Sequence, residues 1–333
     1  MRVLVAGGAG FIGSAYVRLR LDRHPADSVR VLDKLTYAGR WENLDGGDPE
    51  RLERVEGDIA DRDAVAAAVE GADAIVNFAA ESHVDRSIES PGQFIQTDVF
   101  GAFVLLDAAR SAGIRHLQVS TDEVYGSIED GSFTEASPLE PSSPYSASKA
   151  GGDLLVGAFH RTYGADALVI RASNNYGPRQ HPEKLIPLSV LNALAGDPLP
   201  VYGDGLQVRN WLYVEDFATA IDLVLESGRA GETYNVGGPD ELPNIEVVRR
   251  ICALVGREES LIEHVRDRPG HDRRYSLAYD KLRGELGWEP RVSFGEGLER
   301  TVDWYRDNEW WWRPIRSGEY RAYYERQYGK AFG

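Results

Sequence analysis

The chain has 333 residues, 42% of them hydrophobic and 27% charged, with 37 Lys and Arg against 53 Asp and Glu and a formal net charge of −16. These proportions suit a globular protein with a real core, and no apolar run approaches the roughly 20 residues that cross a bilayer. The acidic balance argues against nucleic acid or an anionic membrane as a main partner.

A lone thiol, Cys252, excludes an intramolecular disulfide and a multi-cysteine metal site, and none of the seven histidines pairs with another at close metal-ligand spacing. No metal is expected. Cys252 lies among Val247, Val248, Ile251, Leu254 and Val255, which predicts core packing.

Residues 2–6 read as a buried strand that runs into Gly7-Gly8-Ala9-Gly10-Phe11-Ile12-Gly13, and residues 11–23 as a helix. The start of the chain lacks the apolar core and cleavage site of a signal peptide, so the expected location is cytoplasmic. Glycines in a strand–turn–helix setting let the backbone approach a pyrophosphate, which then rests on the helix N-terminus. Residues 29–33 form the second strand. Asp33 ends it about 20 residues past the glycines, where a carboxylate accepts hydrogen bonds from a ribose and repels a 2′-phosphate; NAD is favoured over NADP. Strands at 52–56 and 74–78 follow, closed by Asp58 and by Phe78-Ala79-Ala80, at the sheet edge where such folds bind ligands.

Helical spacing covers 61–70 and 93–112, and 115–120 is a fifth strand ending in Ser120-Thr121-Asp122-Glu123-Val124-Tyr125-Gly126. A helix over 144–163 has Ser143 as its N-cap and Pro144 as its first residue. That register places Tyr145 and Lys149 at i and i+4 on one face. An ammonium beside a phenol, together with a nicotinamide's positive charge, favours the phenolate and makes a base of it. A strand at 167–171 completes the alternation, which implies an α/β fold: a Rossmann-type doubly wound parallel sheet.

After Asn175 the texture changes, with Pro178, Pro182, Pro187, Pro198 and Pro200 breaking the pattern. The expected division is a cofactor domain over 1–175, with return segments near 208–238 (208–225 and 233–236), and a smaller C-terminal substrate-binding region over 176–333. The aromatic tail (Trp304, Tyr305, Trp310, Trp311, Trp312, Tyr320, Tyr323, Tyr324 and Tyr328) reads as packing of terminal helices.

The glycine turn with Tyr145-x-x-x-Lys149 resembles the extended short-chain dehydrogenase/reductase superfamily, in which epimerases, decarboxylases and dehydratases share a framework. An epimerase needs only a hydroxyl and the tyrosine, whereas a dehydratase also needs a base and an acid beside the sugar. The adjacent Asp122-Glu123 resembles the dTDP-glucose 4,6-dehydratase family. So do residues 79–87 (Ala-Ala-Glu-Ser-His-Val-Asp-Arg-Ser), 174–178 (Asn-Asn-Tyr-Gly-Pro), 182–187 (Pro-Glu-Lys-Leu-Ile-Pro) and 266–272 (Arg-Asp-Arg-Pro-Gly-His-Asp). Two departures stand out: Ala6 where many relatives have threonine, and Gly151-Gly152 where a bulkier residue is usual. The double glycine is expected to weaken its helix by about 1 kcal/mol per glycine relative to alanine.

The resemblance implies conversion of dTDP-glucose to dTDP-4-keto-6-deoxyglucose and water, with NAD kept as a prosthetic group. Tyr145, Thr121 and Lys149 would carry C4 oxidation, Glu123 would remove the C5 proton, and Asp122 would protonate the departing C6 hydroxyl. It places NAD on Gly7, Gly10, Phe11, Ile12, Gly13, Asp33, Lys34, Thr36, Asp58, Ile59, Phe78, Ala79, Ala80, Ser82, Thr97, Tyr145, Lys149 and Asn175. The nucleotide sugar would meet Ser82, Thr121, Asn174, Lys184, Leu185, Pro200, Tyr202, Arg209, Asn244, Arg268 and His271. A homodimer formed through the helices at 93–112 and 144–163 is also implied. A nucleotide-sugar 4-epimerase, a UDP-glucuronate decarboxylase and a catalytically silent NAD-binding regulator remain the alternatives.

Overall fold

The computed structural model describes residues 1–267 and 270–316. The strands are β1 (Arg2–Ala6), β2 (Ser28–Asp33), β3 (Leu52–Glu56), β4 (Ala74–Asn77), β5 (Arg115–Thr121) and β6 (Ala167–Ala172), followed by β7 (Asn174–Tyr176), β8 (Leu199–Tyr202), β9 (Val208–Tyr213), β10 (Thr233–Val236), β11 (Asp240–Pro243) and β12 (Ile262–Val265). Seven of them form one sheet in the order β10-β6-β5-β4-β1-β2-β3, with every neighbour parallel. This is the doubly wound sheet that the alternation of elements predicts.

Side-chain alternation on β1 explains why helices cover both faces. Val3 and Val5 pack with Tyr16, Val17 and Leu21 of the Phe11–Arg23 helix and with Phe217, Ile221 and Val224 of the Val214–Ser227 helix. Leu4 and Ala6 point the other way, into Val65, Val104 and Leu105. All four β1 positions are fully buried, and each Val or Leu so buried contributes about 1.5–3 kcal/mol. Burial on both faces is why such a strand reads as a continuous apolar run.

The Pro144–Tyr163 helix starts as its cap residues dictate. Ser143 Oγ accepts from the Ser146 amide at 3.1 Å, and Ser146 Oγ accepts from the Ser143 amide at 3.0 Å. Gly164, at φ 68°, ends it.

The expected helix over 93–112 is in fact three pieces: Pro91–Phe94, a π-helical segment Ile95–Gly101, and Ala102–Ala112. A wider π turn differs too little from the 3.6-residue period for apolar spacing to reveal it. The second glycine of the Gly151-Gly152 pair also has a reason. A Cβ on Gly152 would stand 2.8 Å from the Asp98 carbonyl oxygen, so glycine lets the π segment approach the helix.

The remaining strands make a three-stranded sheet, β11-β9-β7, and a two-stranded one, β12-β8. Their core includes Tyr176, Val190, Trp211, Ile251, Leu298, Tyr305 and Trp311. Cys252 belongs to this core and is buried. Within residues 208–225, β9 stays in the small sheet, because it pairs with β7 and β11. The Val214–Ser227 helix then packs on the large sheet, and β10 extends that sheet beside β6. Of the aromatic tail, Trp304, Tyr305, Trp311 and Trp312 pack on the smaller core while Trp310 is exposed. Tyr320, Tyr323, Tyr324 and Tyr328 lie outside the described residues.

Candidate active site

The C-terminal ends of β1, β2, β4, β5 and β6 open into one cleft of about 300 Å³. It lies where the strand order reverses between β1 and β4, the place such sheets bind ligands. Gly7 sits there at φ 72°, and a Cβ on it would come within 2.4 Å of the Ala79 amide nitrogen. Only glycine permits that crossing.

Asp33 is positioned before any ligand arrives. Its Oδ2 accepts from the Ala9 amide and its Oδ1 from the Leu35 amide, both at 2.9 Å. Burial raises its pKa above the usual carboxylate value, and the two amides oppose that. The neighbouring Lys34 ammonium is taken up by Asp58 Oδ2 at 2.6 Å, so it offers no unpaired charge to a 2′-phosphate.

Thr121 ends β5 and caps the short 3-10 turn Asp122–Tyr125. Its hydroxyl accepts from the Glu123 amide at 3.3 Å and donates to Asp122 Oδ1 at 3.1 Å. Asp122 is 1% exposed and its Oδ2 has no hydrogen-bond partner. Burial first, and the Glu123 carboxylate second, push its pKa up to about 8. A carboxyl of this kind is an acid at neutral pH.

Tyr145 and Lys149 share one face of their helix and both line the cleft. Lys149 Nζ donates to the Val119 carbonyl at 2.8 Å. Burial, then Glu123 and Asp98, hold the Tyr145 phenol well above its ordinary pKa, while the Thr121 hydroxyl pulls it down. The protein's own groups therefore keep this phenol protonated, which leaves the expected phenolate dependent on the nicotinamide's positive charge as well as on the ammonium.

Every residue expected to hold NAD lines the cleft, from the glycine turn to Thr97 and Asn175. Ser82, Thr121, Asn174 and Lys184 of the substrate set line it too. Ser173 Oγ, Asn174 Oδ1, Asn175 Oδ1 and Gln180 Oε1 are buried there without partners; buried polar atoms are otherwise satisfied, so the wall fits a polar ligand such as a dinucleotide.

Leu185, Pro200, Tyr202, Arg209, Asn244 and His271 are not part of that lining, and Arg268 lies outside the described residues. Three of them are linked through Asp267 and Gln207 instead. The Tyr202 ring meets His271 edge-on at 6.0 Å, and His271 Nδ1 lies 2.6 Å from Asp267 Oδ1. Asp267 accepts from Gln207 at 2.8 Å, and the Gln207 carbonyl accepts from the Asn244 amide at 3.0 Å. Pro200 shares β8 with Tyr202, and Leu185 opens the Leu185–Ala195 helix. Arg209 stands over the Tyr275 ring at 4.3 Å, and its charge reaches Asp122.

Sequence reasoning missed Asp98, Gln180 and His181. Asp98 is 2% exposed within the π segment; it accepts from Ser148 Oγ at 2.7 Å and from the Glu81 amide at 3.2 Å. Burial, opposed by Lys149, puts its pKa at about 6. An acid among the apolar residues of 94–106 was the available signal. Burial and nearby cations push His181 down to about 3, which leaves it neutral. Among the described residues, no group of three His, Cys, Asp or Glu could hold a metal ion.

Comparison with known proteins agrees on one family. The model of the GDP-mannose 4,6 dehydratase family matches residues 4–301. The dTDP-glucose 4,6-dehydratase of Streptomyces niveus is 53% identical over 323 residues, covering 95% of this chain and 96% of that protein. The crystal structure of the Streptomyces venezuelae dTDP-glucose 4,6-dehydratase, solved with NAD and TYD bound, superimposes with a TM-score of 0.92 at 55% identity, over 95% of this chain and all of that one. A Thermus thermophilus UDP-glucose 4-epimerase in complex with NAD shares the fold more distantly, with a TM-score of 0.86 at 33% identity, over 92% of this chain and 100% of that one. The chain therefore belongs to the GDP-mannose 4,6 dehydratase family and, within it, to the dTDP-glucose 4,6-dehydratases.

Proposed function

We propose that this protein is an NAD-dependent dTDP-glucose 4,6-dehydratase, a hydro-lyase that yields dTDP-4-keto-6-deoxyglucose and water. The observation that carries the reading is the buried, partner-poor Asp122 carboxyl, an acid at pH 7, set beside Glu123 and Tyr145. An epimerase has no use for it.

The glycine turn, Asp33 and the orphaned amide oxygen of Asn175 suit NAD, which when bound would accept a hydride from sugar C4 and give it back at C6. Tyr145 takes the O4 proton as that hydride leaves. Its raised pKa means the phenolate relies on the positive nicotinamide as well as on Lys149. Thr121 holds O4 by a hydrogen bond. The C4 ketone acidifies C5, Glu123 removes the C5 proton, and Asp122 gives its proton to the C6 hydroxyl, which departs as water; once C6 has regained the hydride, C5 is reprotonated by Glu123 or by water. Lys184, at the N-terminus of the Leu185–Ala195 helix, and Arg209 supply local positive charge for the diphosphate of an anionic substrate. Asn174 and Arg268 join them at the phosphates, and Pro200, Tyr202, Asn244 and His271 serve the nucleoside.

Residues 1–175, with the returning Val214–Ser227 helix and strand β10, thus carry the cofactor, and the remainder carries mainly the nucleotide sugar. The enzyme works in the cytoplasm as a homodimer. Ile95, Phe100, Leu154 and Tyr163, exposed at 53%, 38%, 61% and 60% on the two expected helices, support that interface.

The test is mass spectrometry of products from a panel of nucleotide-glucoses. dTDP-glucose should lose one water, with a kcat/KM well above that of UDP-glucose and with no added NAD. A product of unchanged mass would make the protein an epimerase.

A further inference from the structure

The tail of the chain reaches back to the glycine turn through buried hydrogen bonds. Trp311 is 2% exposed and packs in the smaller core against Trp304 and Tyr305. Its indole Nε1 donates to Asn43 Oδ1 at 2.7 Å, a buried contact across 268 residues. Asn43, itself 1% exposed, passes the bond on: its Nδ2 donates to the Ala9 carbonyl at 2.8 Å. The Arg40 amide donates to the same oxygen at 3.0 Å, and Arg40 Nη1 donates to the Trp311 carbonyl at 2.8 Å.

These bonds act on a particular peptide. Ala9 is the third residue of the Gly7–Gly13 turn, and its N–H is already held by Asp33 Oδ2 at 2.9 Å. A trans peptide is planar, so fixing the direction of the Ala9 C=O fixes the direction of the Gly10 N–H on the opposite side. Gly10 is the N-cap of the Phe11–Arg23 helix and brings no side-chain cap. The Gly10 N–H in turn closes the turn by donating to the Gly7 carbonyl at 3.2 Å. Two donors to the Ala9 carbonyl and one carboxylate on its N–H therefore hold the closed turn that leads into Phe11 and Ile12, the first helical residues, both of which line the cleft. Asn43 carries two of these constraints at once, because its own carbonyl accepts from Arg18 Nη1 of the same helix at 2.6 Å.

We propose that Asn43 and Trp311 are positioning residues of the dinucleotide turn: the chain Trp311–Asn43–Ala9 orients the amides that receive a pyrophosphate and so couples docking of the C-terminal segment to retention of the cofactor. The inference rests on the NAD reading above and extends it to two residues that touch no ligand. Asparagine suits the middle place because its amide is both donor and acceptor. Tryptophan suits the far end because it fills the core and still offers an N–H.

The test uses Trp311→Phe, which keeps an aromatic ring in the core but lacks the N–H, with Asn43→Ala as the second variant. Each protein is stripped of nucleotide and titrated calorimetrically with NAD and, separately, with dTDP. Trp311→Phe should weaken NAD by at least about tenfold, or 1.4 kcal/mol, and leave dTDP affinity within about twofold of wild type. Combining the two substitutions should add little to the larger single effect, because both break one chain. NAD affinity unchanged in Trp311→Phe would overturn the proposal even if Asn43→Ala failed to fold. Equal weakening of NAD and dTDP would also overturn it, since that marks general loosening. A wild-type protein with no measurable affinity for NAD would overturn the cofactor reading itself.

Discussion

Replacing Asp122 by Asn removes a proton donor while keeping the size of the side chain. At an ordinary carboxyl pKa near 3.8, only about one copy in a thousand would carry the proton at pH 7; at about 8, roughly nine in ten do. Burial of this group therefore multiplies the acid form by about three orders of magnitude, comparable to the 10²–10⁴-fold that a positioned acid contributes. We expect Asp122→Asn to lower turnover by about 10²–10⁴-fold while C4 oxidation continues, seen as near-ultraviolet absorbance of reduced nicotinamide. In wild type, kcat should fall about tenfold per pH unit above about 8, and the residual rate of the variant should lose that limb. The same group bears on stability. Its folded pKa lies above the unfolded one, so the folded state binds the extra proton between about pH 4 and 8. Stability should decline as pH rises through that window and level off above it, less so in the variant. A wild-type profile flat from pH 7 to 10, or near-normal turnover by Asp122→Asn, would refute the role of Asp122 as the acid.

Glu123→Gln should halt the reaction after oxidation, building up reduced nicotinamide with little 4-keto-6-deoxy product; normal turnover would remove Glu123 from the mechanism. Gly152→Ala should destabilise the fold in denaturant titrations despite alanine's higher helix propensity, because its Cβ would press on the Asp98 carbonyl at 2.8 Å. Gly151→Ala, which meets only a Val99 methyl at 3.0 Å, should be near neutral; the reverse ranking would contradict the packing described. With a net charge of −16, Tm should rise as KCl goes from 0.01 to 0.15 M, as screening shortens from about 30 to about 8 Å. A Tm unchanged across that range would mean that self-repulsion is already compensated by local ion pairs.

Elements with a local cause were legible in the amino-acid order alone. Strand β1 is a run of β-branched and aliphatic residues buried on both faces, and the Pro144–Tyr163 helix carries its own capping box. Gly7 and Asp33 announce their chemistry by spacing along one strand–turn–helix–strand run, and Tyr145 and Lys149 by spacing within one helix. The Asp122-Glu123 pair was visible too, being contiguous. What the chain order left undetermined depends on partners far away in sequence. Spacing could not place Trp311 beside Asn43, since nothing local records a hydrogen bond across 268 residues. Nor could it separate the π segment at Ile95–Gly101 from an ordinary helix, explain Gly152, or mark Asp98 as buried against Ser148 and Glu81, because those follow from how two helices meet. Composition shows an acid and a phenol; only tertiary burial decides that Asp122 holds its proton near pH 8 and that Tyr145 keeps its own, because a pKa is set by the loss of water and by charges brought close through folding.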